Sequence, residues 1–301
     1  MSTIDKIKEL KQQRNAVILA HYYVEDEVQA IADYVGDSFY LSKIAAKEEA
    51  DVILFCGVSF MGESAKILSP QKTVIMPDMQ ADCPMAHMAD IEKIQEMREK
   101  YEDLAVVCYI NSTAELKTYS DVCVTSSNAL KIVKKLPNKH IYFIPDENLG
   151  RYIASKVPEK QFIFNEGFCH VHKGIAAEHV RKAKEAHPQA SVLVHPECTP
   201  EVVEMADYIG STSGIIDFAT ASGEQEFIIC TETGVLYELR QKNPGKRFYL
   251  AGNQQLCPNM KRITLDKVAA ALEQMTNTVE LEEEVRVRAN QPLERMLELG
   301  S

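Results

Sequence analysis

The sequence predicts an α/β protein of three homologous αβα units, each with a small parallel sheet, arranged about a pseudo-threefold axis. Three observations lead to this prediction. Apolar strands alternate with amphipathic helices along the chain, a pattern that indicates parallel sheets with helices on both faces. Three segments begin alike and also end alike. A cysteine follows the last predicted strand of every segment.

The first half of each segment predicts a strand, a polar turn, a helix and a short strand that ends on small hydroxyl residues. The three stretches are AVILAHYYVEDEVQAIADYVGDS, AVVCYINSTAELKTYSDVCVTSSNA and SVLVHPECTPEVVEMADYIGSTSG. Helix starts are signalled in two of them. Ser112-x-x-Glu115 predicts a capping box, and Thr199-Pro200 predicts an N-cap followed by a proline in the first turn.

The second half of each segment predicts strand, turn, helix, strand and loop, and it ends on the cysteine. These stretches are DVILFCGVSFMGESAKILSPQKTVIMPDMQADC, HIYFIPDENLGRYIASKVPEKQFIFNEGFC and EFIICTETGVLYELRQKNPGKRFYLAGNQQLC. The repeats give domain boundaries at 1–86, 87–173 and 174–262. Residues 263–301 predict further helices, and the first unit is their candidate packing partner.

Composition limits the possible partners. The chain has 301 residues, of which 46% are apolar and 26% charged, and a net charge of −11. That charge argues against a nucleic acid or an anionic membrane as the main partner. The N-terminus predicts a charged amphipathic helix rather than an export signal, and no apolar run approaches 18 residues, so we expect a cytoplasmic protein. Eight cysteines without a CxxC pair indicate free thiols or metal ligands.

Two series of residues keep nearly the same spacing along the chain. Residues that end the first strands are 88 and 86 apart: His21, Tyr109 and His195. Residues that follow the last strands are 86 and 88 apart: Cys83, Cys169 and Cys257. In open α/β sheets, ligands bind outside the carboxyl ends of the strands. Both series are therefore expected to converge on one active site at the centre.

Three converging thiolates predict a metal site, because soft ligands select zinc, copper(I) or an iron–sulfur cluster. Zinc would need a fourth ligand or a bound water, and His170 and His172 are available next to Cys169. A cubane cluster on three cysteines would leave one iron without a protein ligand, free to act as a Lewis acid. The pattern alone leaves both metals open.

The first-strand ends bring titratable and hydrogen-bonding groups to the same centre. They are His21-Tyr22-Tyr23, Tyr109-Ile110-Asn111 and His195-Pro196-Glu197. Each also has an ordinary structural explanation: a strand-end histidine can be a hydrogen-bonded structural residue, a tyrosine can pack, and Glu197 can cap the next helix. At equivalent positions of three repeats they form a ring suited to acid–base catalysis.

Hydroxyl residues occupy a third shared position, at Ser38, Ser126 and the Ser211-Thr212 pair. Ser38 and Ser126 are predicted N-caps. A helix start offers free N–H groups and the positive end of the helix dipole, which suit a carboxylate or phosphate. Three such positions around one cavity would suit a polyanionic substrate, even in an acidic protein.

The motifs ILAHYY, GDS, MPD…ADCPMA, YINST, TSSNA, PDENLG, GFCHVH, VHPEC, GSTSG, TETG and CPNM occur in this order over nearly the whole chain. Because of this set of motifs, the chain resembles the quinolinate synthase family, iron–sulfur enzymes of NAD biosynthesis. The resemblance implies that Cys83, Cys169 and Cys257 hold a [4Fe–4S] cluster with one open iron. His170 and His172 are then at most neighbours of the cluster ligands or groups of the pocket. Some family members carry a CxxCxxC string at the last ligand, but Cys257 has no cysteine nearby, so thiol switching there is not expected.

The implied reaction condenses iminoaspartate with dihydroxyacetone phosphate to give quinolinate, phosphate and water, and it implies a functional link to an aspartate oxidase or dehydrogenase that produces iminoaspartate. The resemblance implies catalytic roles for Tyr23, Tyr109, Glu197, His21 and His195. The implied substrate-binding residues are His21, Ser38, Tyr109, Ile110, Asn111, Ser126, His195, Pro196, Glu197 and Thr212.

Three other functions remain alternatives at this point. The radical enzymes of diphthamide synthesis also take one cysteine from each of three units, but they bind S-adenosylmethionine. A metal-binding redox sensor would need no polar cavity of phosphate size. A zinc hydrolase would contain zinc instead of iron.

Overall fold

Three four-stranded parallel sheets form the frame of the chain, which the computed structural model describes from residue 2 to residue 301. The strands of the first sheet are β1 Ala16–His21, β2 Tyr34–Gly36, β3 Val52–Cys56 and β4 Thr73–Ile75. Those of the second are β5 Leu104–Tyr109, β6 Val122–Val124, β7 His140–Ile144 and β8 Gln161–Phe164. Those of the third are β9 Ser191–Val194, β10 Tyr208–Ile209, β11 Glu226–Cys230 and β12 Arg247–Leu250.

All three sheets have the same strand order, in which the first strand lies between the second and the third and the fourth is at the edge. The longer helices are α1 Thr3–Gln13, α3 Ser38–Lys47, α4 Ser59–Leu68, α5 Ile91–Lys100, α7 Ala129–Lys135, α8 Glu147–Lys156, α10 Ala177–Ala186, α12 Thr212–Ala221, α13 Val235–Lys242, α14 Leu265–Gln274 and α15 Glu283–Gly300. Four-residue helices are α2 Asp26–Gln29, α6 Ala114–Lys117, α9 His170–Lys173 and α11 Pro200–Val203. The predicted α/β fold with three αβα units is confirmed.

An aspartate before each short second strand repeats one contact in all three units. Its carboxylate accepts a hydrogen bond from a backbone N–H of the first strand, at 2.8, 2.7 and 2.8 Å. The pairs are Asp33 with Ile18, Asp121 with Val106, and Asp207 with Val192. A polar contact that recurs at equivalent positions supports the interpretation of the units as homologous repeats.

The helix starts differ in part from the predictions. Ser112 does not cap α6; Thr113 is the N-cap and accepts from the Leu116 N–H at 3.2 Å, while the Ser112 hydroxyl donates to the Tyr109 carbonyl. Thr199 is the N-cap of α11, with a proline next, as predicted. Its hydroxyl, however, makes no capping hydrogen bond, so the Thr199-Pro200 start rests on backbone geometry alone.

Neither Ser38 nor Ser126 is an N-cap, and both predictions are wrong. Asp37 caps α3 and accepts from the Tyr40 N–H, so Ser38 is the first helical residue. Ser126 lies in the turn before α7, and the N-cap there is Asn128. Asp and Ser are about equally good N-caps, and α3 begins one residue earlier than a Ser38 cap would require.

The two C-terminal helices pack on different units. Helix α14 packs on α1, where the Arg14 guanidinium donates to the carbonyls of Leu272 and Glu273. Helix α15 lies against β6, α6 and α7 of the second unit and also contacts α4. The first unit is therefore the packing partner of α14 but not the main partner of α15.

The apolar core is divided unevenly among the units. One continuous core joins the first two units and the C-terminal helices. The third unit has two cores of its own, because successive residues of β11 point to opposite faces of its sheet: Phe227 and Ile229 lie in one core, Ile228 and Cys230 in the other. Within residues 2–301, we find no helix that combines the length and the apolar character needed to cross a bilayer.

Candidate active site

Residues from all three units line one pocket at the carboxyl ends of the strands. The candidate residues that line it are His21, Tyr23, Ser38, Cys83, Tyr109, Asn111, Ser126, Cys169, His195, Glu197, Thr212 and Cys257. Ile110 and Pro196 were implied as well, but their buried side chains do not reach the pocket wall. The Ile110 N–H donates to the Val124 carbonyl, which keeps that residue in the sheet.

The three cysteines of this pocket, here called the pocket cysteines, share one local setting. Each directly precedes or lies close to a short helical turn: Pro84–His87 after Cys83, His170–Lys173 after Cys169, and Met260–Arg262 near Cys257. They are partly exposed, whereas the other five cysteines are buried. Burial raises the pKa of the Cys83 thiol to about 12, and the neighbouring Cys257 adds to that shift. The thiols therefore keep their protons until a cation replaces them.

Cys198 is not a pocket residue, although its neighbour Glu197 is. Its side chain is 1% exposed, and the thiol donates to the Cys230 carbonyl at 3.4 Å. It also packs in one of the two cores of the third unit. This placement puts the Cys198 thiol outside the pocket.

Two strand-end histidines use the same backbone contact. The Nδ1 atom of His21 accepts from the N–H of Tyr23 at 3.2 Å, and that of His195 accepts from the N–H of Glu197 at 3.3 Å. Burial lowers the pKa of both imidazoles to about 3. Both rings are therefore neutral, with the proton on Nε2. The Nε2–H of His195 donates to the Ser126 hydroxyl at 3.2 Å.

Glu197 forms a buried pair with His172. The two side chains are 3% and 2% exposed, and Nδ1 of His172 lies 2.6 Å from a carboxylate oxygen of Glu197. Burial opposes ionisation of Glu197, but electrostatic attraction to His172 and hydrogen bonds from His172 and Tyr109 hold its pKa below the usual range. Glu197 is thus a carboxylate that accepts hydrogen bonds. His172, expected only as an available zinc ligand or a pocket neighbour, lies one helical turn after Cys169.

A chain of hydrogen bonds links this pair to Tyr23. Nε2 of His172 contacts the Thr231 hydroxyl at 2.9 Å, and Thr231 contacts the Tyr23 hydroxyl at 2.9 Å. The Tyr23 hydroxyl also contacts Thr212 at 2.6 Å. Burial raises the pKa of Tyr23, and the charge of Glu197 adds to this effect, so the phenol stays protonated. Thr231 was missed by the sequence analysis, because no spacing pattern singles it out.

Two donor sets could hold a metal here. Cys169, His172 and Glu197 have ligand atoms within 4.8 Å of one another, a nitrogen–sulfur–oxygen set that zinc accepts. However, two ligands about 2.0–2.1 Å from a tetrahedral zinc lie roughly 3.3 Å apart, and the His172–Glu197 distance of 2.6 Å is that of a hydrogen bond. The three pocket cysteines offer soft donors from three directions and leave this pair intact. Cysteine thiolates are the ligands that hold iron–sulfur clusters, so this donor set fits such a cluster.

One polar atom of the pocket has no protein partner. Oδ1 of Asn111 is buried and accepts no hydrogen bond from residues 2–301. A buried carbonyl oxygen without a donor is costly. A ligand with an N–H or O–H group would satisfy it.

Comparisons with known proteins agree on one family. The family model described as "Quinolinate synthetase A protein" matches residues 5–298. A protein of Caldicellulosiruptor saccharolyticus named quinolinate synthase is 56% identical over 295 residues, which cover 98% of this chain and 97% of that protein. Proteins of the same name from Fusobacterium nucleatum and Clostridioides difficile are 54% and 51% identical, over 98% of this chain and 99% and 97% of theirs.

Proposed function

This chain belongs to the quinolinate synthase family, and from that premise we propose that it condenses iminoaspartate with dihydroxyacetone phosphate to quinolinate, phosphate and water, in de novo NAD biosynthesis. The observation that carries the proposal is the single pocket, which receives one cysteine and one strand-end residue from each of three repeats. A redox sensor would need the cysteines alone.

The pocket cysteines would hold a [4Fe–4S] cluster, Cys83, Cys169 and Cys257 each binding one iron. When bound, such a cluster supplies Lewis-acid chemistry through the iron that has no protein ligand. The free thiols and their convergence on one cavity support this assignment.

Polar groups of the pocket wall suit small anionic substrates. Helices α3 and α12 start at Ser38 and Thr212, which both line the cavity, and the start of a helix suits an anion. The neutral rings of His21 and His195 add Nε2–H donors without adding charge. Oδ1 of Asn111 is an acceptor for a substrate N–H. Carboxylate, phosphate and imine groups would each find a partner of the right kind.

Glu197 is the proposed general base. Ring formation from two small carbonyl compounds requires removal of protons next to C=O or C=N groups and loss of water. Glu197 is ionised and lines the pocket, and Tyr109 lies beside it as a protonated phenol, its pKa raised by burial and by the charge of Glu197. A carboxylate and a phenol side by side can accept and return protons. Tyr23 is the second phenol that we propose for this work.

The substrates imply a functional partner. An imine hydrolyses in water, so iminoaspartate must come from an enzyme that oxidises aspartate close by, an oxidase or a dehydrogenase. No nucleic acid or membrane is part of the proposal.

The deciding experiment is anaerobic purification, followed by iron, sulfide and zinc analysis and a quinolinate assay with both substrates. We expect about four irons per chain, as a cubane requires, and quinolinate formation that needs dihydroxyacetone phosphate. Zinc at one ion per chain, with no iron, would favour the Cys169–His172–Glu197 site and a hydrolase. Methionine-derived products from S-adenosylmethionine would favour the radical enzymes instead.

A further inference from the structure

We propose that three carboxylates, one in each unit, are positioning residues that hold the pocket cysteines in place. Asp82, Asp146 and Glu232 each accept a hydrogen bond from the backbone N–H of one cysteine. The distances are 2.8 Å to Cys83, 3.1 Å to Cys169 and 3.0 Å to Cys257. The proposal rests on the proposed function only in taking these cysteines as metal ligands.

Each carboxylate also contacts the start of the helix that follows the third strand of its unit. Oδ1 of Asp146 accepts from the Leu149 N–H at 2.7 Å, in the first turn of α8. Oε2 of Glu232 accepts from the Gly234 N–H at 2.6 Å, directly before α13. Asp82 accepts from the hydroxyl of Ser59, the first residue of α4. Each carboxyl group therefore links the loop that carries the cysteine to the start of a helix.

In the first unit the carboxyl group belongs to the cysteine loop instead of the segment before the helix. In the second and third units the carboxylate stands two residues after the third strand, at Asp146 and Glu232. The equivalent position of the first unit is Val58, which has no polar group. There the cysteine loop itself supplies Asp82, and the helix supplies the hydroxyl. If the carboxyl group were only a shared feature of the repeats, it would stand at position 58 in the first unit. Instead a different residue, Asp82, makes the same contacts, which indicates that the cysteine loop requires them.

A loop that carries a metal ligand needs such a support. Partners that orient a metal ligand typically change metal affinity about 10- to 100-fold when they are removed. Helix capping alone does not account for the geometry of Asp146, because capping uses Oδ1 and the other oxygen is directed at the Cys169 N–H.

The contacts predict different outcomes for the two aspartates. Both oxygens of Asp146 accept from N–H groups, so the amide of Asp146→Asn would direct its NH₂ at one of them. Asp82 accepts from Cys83 and Ser59 with one oxygen, and its second oxygen faces Nε2 of His87. Asp82→Asn can keep both bonds, and only Asp82→Ala removes them.

The test measures how fast iron leaves the anaerobically reconstituted holoenzyme in the presence of an excess of an iron chelator. We expect release about 10- to 100-fold faster than wild type in Asp82→Ala and Asp146→Asn, and near wild type in Asp82→Asn. The matched control is Asp90→Ala, which removes the capping carboxylate of α5 without touching a cysteine. Its release rate should equal that of wild type. Melting curves of the metal-free proteins identify any variant that fails to fold.

Unchanged release from Asp82→Ala and Asp146→Asn would overturn the proposal, and so would equally fast release from Asp90→Ala. Release from Asp82→Asn as fast as from Asp82→Ala would also overturn it, because the hydrogen bond would then be irrelevant. A wild type that takes up no iron refutes the cysteine assignment and this proposal together. A wild type that holds iron but makes no quinolinate refutes the proposed reaction and leaves the positioning role standing.

Discussion

Nδ1 of His172 lies 2.6 Å from a carboxylate oxygen of Glu197, and the same nitrogen lies 3.2 Å from the Cys169 thiol. His172 therefore joins the proposed general base to one of the proposed cluster ligands. Because the pair is almost fully buried, its hydrogen bond lies in a medium of low dielectric, where it is stronger than in water. This arrangement keeps Glu197 ionised and oriented toward the pocket.

Glu197→Gln should leave the fold, the iron content and ligand binding intact and lower turnover at least about a hundredfold, because a positioned base typically contributes about 10²–10⁴-fold in rate. The measurement is anaerobic quinolinate formation per iron. Glu201→Gln, in the first turn of α11, is the matched control and should keep full activity. Turnover close to wild type with a full cluster would remove Glu197 from the mechanism. Loss of iron would make its role structural.

Serine at Cys83, Cys169 or Cys257 should abolish or gravely destabilise the cluster, because two thiolates do not retain a cubane. Serine at the buried cysteines Cys56, Cys108, Cys123, Cys198 or Cys230 should leave the iron content near wild type. Iron and sulfide analysis after anaerobic reconstitution gives the answer. A Cys169→Ser protein with full iron would contradict the assignment.

Thr231→Val should lower kcat about 10- to 100-fold, since it removes one of the two hydroxyls that contact the Tyr23 phenol and would displace this proposed catalytic group. Thr231→Ser keeps the hydroxyl and should restore most of the activity. If Thr231 acts through Tyr23, adding Thr231→Val to Tyr23→Phe should cost little more. Fully additive losses in that double variant would instead assign Thr231 a separate role.

His21 and His195 should each make the metal-free protein less stable as the pH falls from 7.5 to 5.5. The pKa of His21 and of His195 is lowered to about 3 by burial, and an unfolded histidine titrates near 6.5. Below pH 6.5 the unfolded chain binds protons that the folded chain does not, so each ring costs about 1.4 kcal/mol at pH 5.5. Above pH 6.5 this contribution vanishes.

Urea unfolding at both pH values measures the effect. His195→Gln should reduce the difference in unfolding free energy between the two pH values by about 1.4 kcal/mol. His187→Gln is the control, because His187 stacks on Tyr249 outside the pocket. An unchanged difference in His195→Gln would mean that this ring is protonated in the folded protein.

Much of the frame could be predicted from the sequence. Continuous apolar runs such as AVILAH predict buried parallel strands, and constant spacing predicts which residues stand at equivalent strand ends. Spacing along the chain determines the end of the sheet at which a residue lies, and this is why the pocket cysteines were found. It does not determine side-chain rotamers or hydrogen-bond partners.

The missed features depend on such local choices. Asp37 and Ser38 are adjacent and cap helices about equally well, so the sequence does not determine which of them precedes the first turn. Thr231 contacts Tyr23 from 208 residues away in sequence, and the contact exists only because the first and third units meet at the pocket. The His172–Glu197 pair is likewise a contact between units, which no pattern within one repeat reveals.

Equivalent positions of the three units carry different residues, and this difference affects how a ligand is oriented in the pocket. A pocket lined by three identical repeats would offer a bound molecule three equal poses. Here the strand ends carry His21, Tyr109 and His195, and the residues two places on are Tyr23, Asn111 and Glu197. At equivalent positions of the three units, Tyr23 thus offers a hydrogen-bond donor, Asn111 an acceptor and Glu197 a negative charge. Because these groups differ, an asymmetric molecule has one preferred way to lie in the cavity.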